Sequence, residues 1–184
     1  MQRKSRDVLR CWRTAYPLVT FRIVWGILLM FSTARFVTLG WIEDHYIEPL
    51  LHFKYYGFEW IQSFGLTEMY LVHAIMFVAA LFVTLGYCYR LSAVVLFLTF
   101  TYTELIDLTY YLNHYYFVSL VSFILIFLPA HRAVSLDVKH GRTQFCNRVP
   151  GWSINSLKLM IAIVYIYAGL AKINTSWLLE ALPL

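Results

Sequence analysis

The sequence predicts an all-α fold, a polytopic bundle of transmembrane helices with about five spans. Three observations carry that expectation. The 184 residues are 60% hydrophobic and only 14% charged, where a soluble domain carries roughly a quarter charged residues. The apolar residues gather into runs of about membrane-span length, with a mean hydropathy of +0.63. The basic residues gather between those runs, which is the arrangement that orients helices in a bilayer. The net charge of +5 therefore does not describe a basic patch on a soluble surface, and nucleic-acid binding is not expected.

The first span is expected at about residues 17–39. It contains Arg22 and Arg35 and lacks a small-residue cleavage site before residues 40–43, so it reads as a retained helix rather than a signal peptide. The second is expected at about 69–87. Residues 91–128 are almost unbroken apolar sequence, nearly twice the ~20 residues a bilayer needs, so they must fold back. The bend is placed around YYLNH at 110–114, giving spans three and four. The fifth is expected at about 154–173. One membrane domain and no internal repeat are evident.

Charge placement gives an orientation. Arg3, Lys4, Arg6, Arg10 and Arg13 precede the first span, Arg90 occupies the second turn, and Arg132, Lys139, Arg142 and Arg148 precede the fifth. Segment 40–68 has Glu43, Asp44, Glu48, Glu59 and Glu68 against a single Lys54. The positive-inside rule then predicts a cytoplasmic N-terminus, with segment 40–68, Asn113, His114 and Lys172 on the outer side. Cys11, Cys88 and Cys146 fall on the cytoplasmic side, where disulfides are rare, and read as structural thiols. Segment 40–68 alternates aromatic and charged residues and is too polar to span. It is expected to lie at the interface, either as an aromatic anchor or as a lid over an outward-facing pocket.

Polar residues within the apolar frame are the candidate site. Glu104 and Asp107 share a helical face by spacing, and Asp107, Tyr111 and His114 follow at i, i+4 and i+7 if the helix continues. The acids have two readings, structural pairing with Arg35, Lys172 or backbone groups, or shaping the electrostatics of a site with His114. His114 can act as acid, base or hydrogen-bond donor, and Asn113 can cap a turn or hold a ligand oxygen. The remaining histidines, His45, His52, His73, His131 and His140, show no ligand spacing, and no metal is expected. Tyr165, Ala168, Gly169 and Lys172 share a face, where the small residues admit a helix or a flat ligand. Lys158 reads as a snorkelling lysine. Lys172 reads either as a headgroup anchor or as an amine that burial makes partly neutral, and so able to accept a proton.

Four ordered motifs carry a resemblance: HFKYYGFEW at 52–60, RLSA at 90–93, YLNHYY at 111–116 and YIYAGLAKIN at 165–174, followed by Trp177. From about residue 15 onward the chain resembles the transmembrane domain of vitamin K-dependent gamma-carboxylases, in its bacterial branch, the horizontally transferred transmembrane (HTTM) domain. The resemblance implies an enzyme of the carbon–carbon lyase class that couples oxygenation of vitamin K hydroquinone, or a similar quinol, to carboxylation of a peptide glutamate. The quinol becomes an epoxide, and O2 and CO2 are co-substrates.

In the family's terms Lys172 is the base, and His114, assisted by Asn113, stabilises developing negative charge. Tyr165, Gly169 and Tyr111 are the expected quinol contacts, with Glu104 and Asp107 tuning the electrostatics. A water-poor pocket suits both a neutral amine and a reactive intermediate. The implied location is the bacterial cytoplasmic membrane, with the lipid bilayer as partner and the site facing the periplasm. The animal enzymes have two adjacent lysines where this chain has Ala171 and Lys172. The family's later helices and extramembrane domain have no counterpart before Leu184, so a truncated HTTM domain is expected over 1–184. The rival expectations are a quinone-binding or redox membrane protein without carboxylase activity, and a non-catalytic membrane module in which Lys172 and Glu104 form an ion pair.

Overall fold

The computed structural model describes residues 12–173. Cys11, the four most N-terminal basic residues, Asn174, Trp177 and Leu184 lie outside the described residues. The chain is mostly helical and divides into two compact units, one of which is Arg13–Val149.

Within that unit, α1 (Tyr16–Thr38) starts with Pro17 in its first turn, where the missing N–H would have had no helical partner anyway. A short α2 (Trp41–Tyr46) follows the bend at Gly40. Next come α3 (Leu66–Leu85), α4 (Tyr89–Leu105), a single 3₁₀ turn (Leu108–Tyr110), α5 (Asn113–Phe127) and a four-residue α6 (Leu136–Lys139). The helix α5 stops ahead of Pro129, which disfavours helical geometry in the residue before it. The all-α expectation misses one small element, the pairing of β1 (Trp12–Thr14) with β2 (Arg148–Pro150).

The helices pack in chain order, α1 on α3, α3 on α4 and α4 on α5. Gly26 sets the approach of the first pair: a Cβ there would meet the Thr84 side chain and come within 2.8 Å of the Ala80 carbonyl oxygen. Such small-residue contacts let backbones close together where lipid supplies no hydrophobic drive between helices. At the end of the bundle near α2, Ile42, Tyr46, Ile61, Met69 and Ile106 form a buried cluster.

The second unit is described through α7 (Gly151–Ala171), which Pro150 precedes. Among the described residues three helices are long and apolar enough to cross a membrane: α1, α3 and α7. The expectation of five spans is thus met only in its coarser form, since α4 has 17 residues and α5 has 15, fewer than the ~20 of a full crossing. The fold-back itself is present, with α4 ending at Leu105 and α5 starting at Asn113.

Candidate functional site

Two polar stretches of the chain meet where α4 ends. The strap between α2 and α3 is tied by its own backbone to the break after α4: Leu108 N donates to Phe53 O at 2.7 Å. Lys54 Nζ donates to Ile106 O at 3.0 Å, and His52 Nδ1 lies 3.0 Å from Asp107 Oδ2. Thr109 adds its N–H and hydroxyl to Asp107 Oδ1 at 2.9 and 2.8 Å. An ionised carboxylate only accepts, so His52 presents Nδ1–H to Asp107, and its Nε2 lies 3.4 Å from Ser63 Oγ. Burial would raise the Asp107 pKa, but donation from Thr109, His52 and the Phe53 backbone outweighs it and holds the carboxyl below its ordinary range. This clasp gives segment 40–68 a form that amphipathicity did not predict. It is a short helix and then an irregular strap, with Leu50, Tyr56 and Trp60 exposed.

Under the strap lies a chamber of about 490 Å³. Tyr55 and Phe58 enter it from the strap, Phe97 and Glu104 from α4, and Tyr116 and Phe123 from α5. Its polar groups are few: Glu104, Ser119 and Thr101, whose Oγ1 is buried without a hydrogen-bond partner among the described residues. Two small polar clefts reach Glu104 from other sides. One, of about 40 Å³, is bordered by Thr33, Tyr46, His73 and Thr103; the other, of about 10 Å³, by Tyr46, Asp107 and Tyr110. Glu104 borders all three spaces. Within the Arg13–Val149 unit it makes no hydrogen bond and no ion pair.

Several expected relations change. Glu104 and Asp107 do not share a helical face, because α4 stops at Leu105 and Asp107 is extended (φ −144°, ψ 122°). They still border one cleft, because the chain turns there. The i, i+4, i+7 register of Asp107, Tyr111 and His114 fails for the same reason: the 3₁₀ turn and α5 are separate elements. Within its unit Asp107 pairs with His52 and with the backbone and hydroxyl of Thr109, so of the expected structural partners it is backbone that meets it, while Arg35 sits over the Trp41 ring, 5.0 Å from its centroid. Tyr111 borders the chamber. Asn113 is the first residue of α5 rather than its cap, and it is exposed, as is His114, whose ring lies edge-on to Tyr115 at 4.5 Å. In the second unit, Tyr165, Ala168 and Gly169 lie on α7, and Lys172 caps it, donating its backbone N–H to Gly169 O at 3.1 Å. Among the described residues no group of three or more His, Cys, Asp or Glu is placed to hold a metal ion.

The sequence reading noted Arg22 and His52 without giving them partners, and did not single out Thr101. Arg22 is 1% exposed, with Nη1 donating to Ala130 O at 2.8 Å and Nη2 to Val134 O at 2.7 Å. Close by, Asp137 accepts from Cys88 N and Tyr89 N at 2.8 and 2.9 Å, neutralising the start of α4. The sequence signal for Arg22 is a guanidinium inside an apolar run. For Thr101 it is a position one turn before Glu104 on the same face.

A helical membrane protein with an aromatic chamber under a polar clasp is the class these features define. The family model of the HTTM domain matches residues 13–184, and the chain belongs to that family. HTTM is the domain of the vitamin K-dependent gamma-carboxylase family, so this is a membrane protein related to those carboxylases. No solved structure matches the chain.

Proposed function

We propose that the protein handles a quinol and couples its oxygenation to carboxylation of a peptide glutamate, with O2 and CO2 as co-substrates. The observation that carries this reading is the family match over residues 13–184, which takes in Lys172, His114 and Asn113 within their motifs. Lys172 takes a proton from the quinol hydroxyl, His114 stabilises the negative charge that develops, and Asn113 assists. The quinol contacts are Tyr165, Gly169 and Tyr111, and Glu104 and Asp107 set the local potential. In the same reading α4 and α5 complete five crossings with α1, α3 and α7, their shorter lengths being made up by the polar strap and the turn above them. The N-terminus is cytoplasmic, the clasp end faces outward, and the bacterial cytoplasmic membrane is the location.

The test is epoxide formation in membranes supplied with reduced vitamin K and oxygen. Wild type forms epoxide and Lys172→Ala forms none while its expression and thermal unfolding are unchanged. Epoxide formation that survives the substitution removes Lys172 as the base.

A further inference from the structure

We infer that Ser63, His52 and Asp107 form a nucleophile–base–acid triad at the clasp, and that Ser63 cleaves carboxylic esters with an apolar acyl group. The inference rests on the geometry of the strap and is independent of the quinol reading. His52 Nδ1 lies 3.0 Å from Asp107 Oδ2, and its Nε2 lies 3.4 Å from Ser63 Oγ. One imidazole therefore bridges a carboxylate and a hydroxyl through its two nitrogens, the constellation that activates serine on unrelated folds. The serine contact is within the looser reach usual before a substrate docks. The three residues are distant in the chain, and the tie between the strap and the break after α4 brings them together.

Exposure follows the roles. The Asp107 side chain is 3% exposed, that of His52 13%, and Ser63 is half-buried. The Thr109 amide and hydroxyl occupy Asp107 Oδ1, which leaves Oδ2 to hold the His52 ring with its proton on Nδ1. In the neutral ring Nε2 then carries the lone pair that takes the proton of the Ser63 hydroxyl. Ser63 borders a pocket of about 300 Å³ whose apolar walls are Trp60, Ile61, Phe64 and Tyr102. That volume is at the small end for organic ligands and suits an acyl group. Gln62 borders the same pocket, and its side-chain amide is a donor for an oxyanion. In the first step Ser63 Oγ bonds to the ester carbonyl carbon and its proton passes to His52 Nε2. The ester C–O bond then breaks, and the departing alkoxide takes that proton. In the second step water gives a proton to Nε2 while its oxygen bonds to the acyl carbon. The acyl–Oγ bond breaks, Ser63 regains the proton, and the carboxylic acid leaves.

The experiment uses the full chain in lipid nanodiscs, with a fluorophosphonate probe located by peptide mass spectrometry and p-nitrophenyl butyrate as the ester. Wild type should carry the phosphonyl group on Ser63 and release p-nitrophenol. Ser63→Ala should lose both while the protease sensitivity of the strap is unchanged, because its other ties remain. His52→Gln should slow the labelling by at least about a hundredfold, the usual share of a general base. Asp107 is a positioning residue: Asp107→Asn should lower kcat more than it raises KM, whereas a merely loosened strap would raise KM. Butyrate turnover alone makes soluble esters the substrates, and fatty acid released from the nanodisc phospholipid makes the bilayer their source. No phosphonyl group on Ser63, labelling undiminished in His52→Gln, or hydrolysis that survives Ser63→Ala overturns the triad. An effect of Asp107→Asn on KM alone overturns the part given to Asp107.

Discussion

The two ends of the helical unit both bury charge, but they treat it differently. At the end holding Arg22 and Asp137, backbone answers most of the buried charge: Arg22 Nη1 and Nη2 reach the Ala130 and Val134 carbonyls, with Nε left without a partner among the described residues, and Asp137 collects the first amides of α4. Gly86, at φ 64°, stands where any Cβ would collide with the Arg22 guanidinium, so the loop geometry is shaped around that side chain. At the clasp end, Asp107 is equally well answered, yet Glu104 three residues earlier is not. Charge held by backbone fixes how loops and helix ends meet, and Glu104 is not held in that way.

The comparison breaks most readily at Arg22. Arg22→Leu leaves buried carbonyls without donors, and we expect a loss of about 3–5 kcal/mol, read as a lowered midpoint of thermal unfolding in detergent. Little change would mean that those carbonyls find other donors and that this end is not a structural knot. Glu104→Gln should leave the same midpoint unchanged, since no contact within the unit is lost.

The clasp should be sensitive to acid. The folded-state pKa of Asp107 lies below its unfolded value of about 3.9. Its contribution is therefore complete above that unfolded value and disappears as pH falls through the depressed folded one. Wild-type Trp60 fluorescence and protease sensitivity of the strap should change over that acidic window, while Asp107→Asn should show a looser strap at neutral pH and no acid transition. The smallest effect belongs to Arg142, which is exposed, lies 3.8 Å from Asp137 and packs over Tyr87. Arg142→Ala should leave the unfolding midpoint within error, because exposed pairs gain little over solvation. A large drop would show that Asp137 needs more than the amides of α4.

Much of the helical frame was legible in the sequence because a long apolar run has few alternatives in a bilayer. The boundaries expected for α1, α3 and α7 fall within three residues of those observed. The break between α4 and α5 was legible from length alone, although it falls earlier than the expected bend, at Ile106 and Asp107. That shift undid the helical spacing by which Glu104, Asp107, Tyr111 and His114 had been grouped. Spacing rules hold only while a helix continues, and nothing local announces that Asp107 will leave the helix to cap the 3₁₀ turn.

By itself, the sequence determined a membrane-spanning helical protein, its family and the identity of the motif residues, because composition and ordered motifs survive without knowledge of contacts. The tertiary structure decided which polar groups are answered. His52 and Asp107 are 55 positions apart and Arg22 and Val134 are 112 apart, and no local pattern encodes such pairings. They depend on where helix ends meet in space. The same meeting of ends places Glu104 where the chamber and two polar clefts adjoin.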